Sequence, residues 1–389
     1  MRYIQKGFNM TKTASSLFNA VILIFGLAYS SSAIAYDTSA KHAFLIDFDT
    51  NQVLFEKNSD VLMPPASMSK IMTAYLAFEE IKSGRLKLED KILISENAWR
   101  KRGSKMFVEV NDEVAVSDIL RGIIVQSGND AAIALAEHLQ GSEAAFADKM
   151  TKKARDLGLK KAKFKNATGW PDEEHKITAR ELGLLAKLTI MNFPDLYSIY
   201  AEKSYTFNNI KQGNRNPLLY DGSGSDGLKT GHTKAAGYGL TASVSKAGRR
   251  LVMVLNGMKS SRERKREAKK LIEWGFREYE NYKIFEKEET VTDIDVWLGK
   301  DSRVSAFIKD EIKLTVRRTD SEKVKTTLHY EEPIAAPIKQ GQIVGILKIK
   351  VPNQTLREYP LFAKQSIEKL GVWGRIMAAV NYLVWGAGD

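Results

Sequence analysis

Ser67 stands three residues before Lys70, a spacing that puts a hydroxyl and an amine one turn apart on the same face if the segment is helical. A neutral amine within hydrogen-bonding reach can take the hydroxyl proton, so the pair could generate a serine nucleophile without histidine. A free lysine is protonated at neutral pH. Lys70 could therefore serve as a base only if burial and a neighbouring cation lowered its pKa. Two further motifs follow in the chain, Ser127-Gly128-Asn129 and Lys229-Thr230-Gly231, and Lys229 is the candidate cation. A helix start near Ser67 would aim its backbone N–H at a developing oxyanion, and the N–H of His232 would be the second donor. Each motif alone is uninformative, since Ser-x-x-Lys is common in helices and Ser-Gly-Asn is an ordinary turn. Their order and combination single them out.

The elements that must position these residues are readable in outline. Residues 43–49 and 53–57 flank Thr50-Asn51-Gln52 and predict two strands joined by a tight turn. Pro64 and Pro65 precede a run from Ala66 to Leu76 whose composition suits a helix with proline at its start. From Ser117 to about Ile190 the pattern is helical with turns between, notably at 131–138 and 178–186. Tyr238 to Val244 and Arg250 to Leu255 predict a hairpin, and a basic helix from about Ser261 to Tyr279 closes this part.

Beyond Glu286 short alternating runs take over, with Ile294, Val296 and Leu298, then Ile312, Leu314 and Val316, then Leu347, Ile349 and Val351. Charged residues between them predict a small β domain with one solvated face. At the end, Leu370, Trp373, Met377, Val380 and Val384 recur at helical spacing, with Glu368 and Arg375 on the other side, Trp385 nearby and Lys364 and Lys369 before the stripe. Such a helix suits either a membrane surface or a docking face on protein. Gly371 and Gly374 lower its intrinsic helicity.

The 389 residues, 43% of them hydrophobic, are enough for two domains with real cores. Arg2, Lys6 and Lys12 precede an apolar run from Leu17 to Ala28 and then Ala33-Ile34-Ala35, which predicts a secretory signal peptide cleaved after Ala35; Met10 is an alternative start. The chain has no cysteine, so an exported form would hold no disulfide, thiol nucleophile or lipidated cysteine. Net charge is +12, of which the leader holds three charges, leaving +9 after cleavage. That surface favours anionic partners such as lipid head groups or an acidic wall polymer, and no nucleic-acid-binding motif is present. Five histidines without metal-type spacing give no metal site; His175 reads as structural, and Trp170 as a residue packing a loop.

The three motifs together resemble those of the penicillin-recognising serine enzymes. The longer runs 65–73 and 226–233 are similar to the low-molecular-mass penicillin-binding proteins that act as D-alanyl-D-alanine carboxypeptidases. The resemblance implies an α+β fold: a transpeptidase-like catalytic domain with an antiparallel sheet flanked by helices and a helical subdomain, then a small all-β domain and a membrane-anchoring amphipathic helix. The boundaries expected are 1–35 for the leader, 36–285 for the catalytic domain, 286–362 for the β domain and 363–389 for the helix.

It also implies roles: Ser67 as nucleophile, Lys70 as general base, Ser127 as proton relay and Asn129 holding the substrate amide. Lys229 and Thr230 would attract the substrate carboxylate, Gly231 and His232 would line the oxyanion side, and Arg250 is a further carboxylate candidate with Arg249 as its rival. The implied reaction removes the terminal D-alanine from peptidoglycan stem peptides through an acyl-enzyme, without a cofactor, and β-lactams would occupy the same site as inhibitors. The implied location is the periplasm, on the outer face of the cytoplasmic membrane, with oligomeric state left open.

Three rivals remain at this point. A D,D-endopeptidase shares all three motifs, although the appended β domain favours the carboxypeptidase. A class A β-lactamase needs a Glu-x-x-Leu-Asn loop, which is absent between Asn166 and Arg180. A non-catalytic wall-binding protein would be expected to have lost a motif, yet all three are intact.

Overall fold

The computed structural model describes residues 36–385. The leader expected over residues 1–35, and the side chains of Val384 and Trp385, lie outside the described residues. The chain divides into two compact units, one running to Arg277 and the other beginning at Glu278.

The first unit is built on a five-stranded antiparallel sheet. β1 (His42–Asp47) and β2 (Val53–Lys57) form the expected hairpin, and β3 (Ser225–Thr233), β4 (Gly237–Lys246) and β5 (Arg249–Met258) complete the order β2-β1-β5-β4-β3. The first strand pairs with the last, His42 opposite Asn256 and Asp47 opposite Leu251. Everything between β2 and β3 is thus an insertion into one sheet. It holds α1 (Lys70–Lys82), α2 (Val116–Ile124), α3 (Asn129–Gln140), α4 (Glu143–Asp156) and α5 (Ala179–Asn192), while α6 (Ser261–Glu278) follows β5.

Successive strand residues point to opposite faces, and both faces are covered. Phe44 lies under α5, where a Cβ on Gly183 would come within 2.7 Å of its ring. Leu45 lies under α6, where a Cβ on Gly275 would meet it at 2.8 Å. α1 is buried without a break from Lys70 to Phe78, which explains why its sequence shows no polar stripe: it is the central helix of the unit. Side-chain caps set other helix starts. Ser142 accepts the N–H of Ala145 at 3.1 Å, and Thr178 with Glu181 forms a capping box at the head of α5.

The second unit holds a six-stranded sheet, in the order Lys325–His329, Ile343–Lys350, Arg357–Ala363, Arg303–Phe307, Thr290–Trp297 and Ile334–Ala335. Tyr279–Phe285 pairs with Ile312–Arg317 beside it. Ile294, Leu314, Val316, Leu347 and Ile349 are buried in one core, as their alternation predicts. The unit begins at Glu278 rather than after Phe285, where the change of period suggested a boundary. The strand Tyr279–Phe285 carries half-buried residues along most of its length, so no alternation marks it. The last helix, α7 (Val372–Trp385), presents Val372, Trp373, Ile376, Met377 and Val380 to solvent, Trp373 at 80% exposure.

Candidate active site

Ser67 does not start an α-helix. It sits in a 3₁₀ turn, Ala66–Ser69, that runs into α1 at Lys70. The chain enters the turn through Pro65 and through Ala66 in the left-handed region, at φ 50°. That is a strained position for a non-glycine residue and it needs support from its surroundings.

His175 supplies part of it. The N–H of Lys165 donates to Nδ1 at 3.1 Å, so the ring proton is on Nε2 and faces Ser69 Oγ at 2.7 Å. Ser69 Oγ in turn donates to the carbonyl of Ala66 at 2.9 Å. Burial, with Lys70 and Lys176 nearby, pushes the imidazole down to about 4, so it stays neutral and keeps this tautomer at neutral pH. This is a structural role, as the sequence reading has it.

A second support is the turn at 166–170. Asn166 Oδ1 accepts the N–H groups of Gly169 and Trp170 at 2.8 and 2.9 Å, and Thr73 Oγ1 donates to the Ala167 carbonyl at 2.7 Å. The turn is pressed so hard against the nucleophile loop that a Cβ on Gly169, at φ 78°, would lie 1.9 Å from the Ala66 oxygen. Only glycine fits there.

Lys70 Nζ lies 3.2 Å from Ser67 Oγ, 2.7 Å from Asn129 Oδ1 and 2.6 Å from the Thr168 carbonyl. The two shorter contacts are to acceptors only, so each must take an N–H. A neutral amine has two N–H groups and one lone pair, and with both N–H groups engaged the lone pair is left facing the serine hydroxyl. Lys70 is 1% exposed, and its pKa is pushed down to about 7 by burial first and then by the charge of Arg215, against opposing effects of Asp130 and Glu143.

The largest cationic influence on Lys70 is Arg215, which the sequence did not suggest, and Lys101 adds to it. Lys229 is itself held well below the ordinary lysine range by burial, Lys70, Arg215 and Arg264. Burial lowers both amines, and a proton on one disfavours a proton on the other. Lys229 Nζ donates to the Thr230 carbonyl at 3.3 Å.

β3 brings Lys229, Thr230 and Gly231 to the nucleophile: a Cβ on Gly231 would meet the Pro65 carbonyl at 2.7 Å and Ala66 Cβ at 3.2 Å. His232 is exposed and stacks on Tyr238, ring centroids 3.9 Å apart. Ser127 is buried at φ 63° at the head of α3. Asn129 is engaged at both ends, its Nδ2 donating to the Arg102 carbonyl at 2.9 Å.

Arg250 is not brought into this cluster. Its guanidinium pairs with Asp226 at 2.6 Å, donates to Ser243 Oγ and packs over Phe48 and Tyr197, while Arg249 pairs with Asp47 at 2.8 Å.

Three residues of this neighbourhood went unseen in the sequence. Arg215 donates to Ser104 Oγ at 2.7 Å from a backbone fixed by the buried Asn214 and Asn216; the Asn-Arg-Asn-Pro run was a turn signal, but nothing in it pointed to a charge at the site. Arg264, on α6, is buried at the same cluster, its pKa lowered to about 10 chiefly by burial. Asp130, directly after the second motif, is fully buried and accepts the N–H groups of Met106 and Phe107 at 2.8 and 2.9 Å. It ties down the loop whose carbonyls, Arg102 and Ser104, hold Asn129.

Known proteins match this chain over both of its units. The family described as D-alanyl-D-alanine carboxypeptidase matches residues 29–260, and the family described as penicillin-binding protein 5, C-terminal domain, matches residues 279–369. The D-alanyl-D-alanine carboxypeptidase DacC of Escherichia coli (strain K12) is 35% identical over 371 residues, covering 93% of each chain. The crystal structure of penicillin binding protein 5 from Haemophilus influenzae superposes with a TM-score of 0.77 at 33% identity, over 86% of this chain and 99% of that one. Penicillin-binding protein D2 from Listeria monocytogenes, in its ampicillin-bound form, superposes with a TM-score of 0.57 at 29% identity, over 62% of this chain and 98% of that one.

Proposed function

The chain belongs to the serine-type D-alanyl-D-alanine carboxypeptidases among the low-molecular-mass penicillin-binding proteins, and from that premise we propose how its residues divide the work. The observation that carries the assignment is Lys70, its two N–H groups held by Asn129 and Thr168 and its lone pair left to Ser67.

Ser67 Oγ attacks the carbonyl carbon between the two D-alanines while its proton passes to Lys70 Nζ. The N–H groups of Ser67 and His232 face the oxyanion. The C–N bond then breaks, and the proton reaches the leaving amine from Lys70 through Ser127, which frees D-alanine and restores the neutral amine. Water next attacks the ester while Lys70 takes its proton, and as the ester C–O bond breaks Lys70 returns that proton to Ser67 Oγ, which frees the shortened peptide and restores the neutral amine. Asn129 steadies Lys70 and the substrate amide.

The substrate's terminal carboxylate is received by Lys229 and Thr230 with Arg215 and Arg264 close by; an anion there opposes the burial that lowers the pKa of Lys229, since an opposite charge favours ionisation. β-Lactams acylate the same serine, in keeping with the ampicillin-bound relative. The purified protein incubated with pentapeptide muropeptide monomers and with crosslinked dimers tests the assignment: D-alanine should be released from monomers, and cleavage confined to the dimers would make it an endopeptidase.

Arg215→Ala should remove the largest cationic influence on Lys70 and one carboxylate contact together. The acid limb of kcat/KM then moves to higher pH, because the base keeps its proton longer, and KM rises about tenfold for a lost charge-assisted hydrogen bond. A pH series of kcat/KM for both proteins measures the shift.

The exposed apolar face of α7, from Val372 to Val380, lies in the surface of the membrane on its outer side, where the net positive charge favours anionic lipid. Among the described residues no helix is long and apolar enough to cross a membrane. Deleting residues 371–389 should abolish sedimentation with vesicles containing anionic lipid and leave hydrolysis of a soluble peptide within about twofold of native.

A further inference from the structure

The carbonyl that takes one N–H of Lys70 belongs to a turn whose backbone is fixed from outside the three motifs. Ala167 and Thr168 are buried, so each of their backbone polar groups needs a partner within the protein. The Ala167 carbonyl accepts from Thr73 Oγ1 at 2.7 Å, the Thr168 N–H donates to Asn166 Oδ1 at 3.2 Å, and the Thr168 carbonyl accepts from Lys70 at 2.6 Å. The fourth group, the Ala167 N–H, donates to Glu143 Oε1 at 3.0 Å. Glu143 is the first residue of α4, directly after the capping Ser142. The same helix grips the segment three residues earlier, where Thr151 Oγ1 donates to the Phe164 carbonyl at 3.1 Å and accepts the Phe164 N–H at 3.0 Å. α4 carries none of the motif residues, but it holds the turn behind the base at two points.

We propose, on the reading of Lys70 as the general base, that Glu143 is its positioning residue: the carboxylate fixes the Ala167–Thr168 peptide so that the Thr168 carbonyl engages Lys70, and it stands behind the amine as a counter-charge. Both parts bear on the base. A shift of this peptide would free one N–H of Lys70 and let the amine turn its lone pair away from Ser67. The charges around the amine are Arg215 and Lys101 on the cationic side and Asp130 and Glu143 on the anionic side, with the Lys229 amine and the neutral His175 imidazole beside them. Of the two carboxylates, Asp130 is fully buried and carries the N–H groups of Met106 and Phe107, so neutralising it would loosen the other clamp as well. Glu143 is half-buried at a helix start, where its charge can be removed with less disturbance.

Glu143→Gln and Glu143→Ala separate charge from position. Glutamine keeps an oxygen for the Ala167 N–H and loses only the charge. The amine then holds its proton less well, so the ratio of penicillin acylation rate constants, variant to native, should be about three- to eightfold higher at pH 5.5 than at pH 9. Alanine also leaves the Ala167 N–H without its acceptor. At pH 9, where the amine is neutral in each protein, the alanine variant should acylate about tenfold more slowly than the glutamine variant. Comparing the ratio at two pH values cancels a general loss of active protein, and counting active sites with excess penicillin corrects the second comparison for misfolded chains. A glutamine-to-native ratio that is flat from pH 5.5 to 9, or equal acylation by the two variants at pH 9, overturns the role of Glu143 and leaves Lys70 as the base. A native rate that does not change between these pH values overturns the reading of Lys70 on which the role rests, and the role with it.

Discussion

Ser67→Ala is expected to take up no fluorescent penicillin and to release D-alanine at least about 10⁴-fold more slowly than the native protein, a loss of about 5.5 kcal/mol in transition-state stabilisation. The size follows from what the hydroxyl does. Without an oxygen on residue 67 there is no acyl-enzyme, and the only remaining route is direct attack of water in a site whose oxyanion donors and carboxylate contacts persist. The methyl group fits where the hydroxyl was, since Ser67 is only half-buried and among the described residues its Oγ has one polar contact, to Lys70 at 3.2 Å. The fold should therefore survive, and an unchanged unfolding midpoint would separate lost chemistry from lost structure. Gel fluorescence and D-alanine release together make the measurement.

Lys70→Arg should lower kcat/KM about 10³-fold, within the range for losing a general base. Arginine keeps the positive charge but cannot give up its proton, so it can donate to Asn129 and Thr168 and still offer no lone pair to Ser67. The substitution also places a charge that cannot neutralise where native Lys70 is 1% exposed. Some loss of stability is expected with the loss of rate. Comparing the penicillin acylation rate with the thermal midpoint divides the two effects, because a purely structural role would move only the midpoint.

Much of this architecture was legible in the residues. The alternation at 43–57 and 238–255 marks strands, and the order of the three motifs limits the site to a serine activated by lysine. What stayed hidden lies where the sequence carries no local signal. Nothing about Ala66 announces a left-handed backbone, so the 3₁₀ turn at Ser67 read as the start of a helix. The clamp on Lys70 is made partly of a backbone carbonyl, that of Thr168, which any residue possesses.

Arg215 lies far from every motif in sequence and reaches the site through the turn between two buried asparagines, whereas Lys229, inside a motif, attracted the role of the cation. Arg250 shows the limit of strand parity. Parity says only which side of the sheet a residue faces, whereas the partner of Arg250, Asp226, sits on β3, two strands away across β4, out of reach of any reading along one strand. The start of the second unit was missed because Tyr279–Phe285 is half-buried on both sides and shows no period.

The pH dependence of the rate at which a β-lactam acylates the native protein bears most directly on the neutral lysine. Only uncharged Lys70 can take the serine proton, so the second-order rate constant should rise with pH through an apparent pKa near 7 and then level off. A rate still climbing towards pH 10, where an ordinary lysine titrates, or one that is flat across pH 5 to 9, would contradict it.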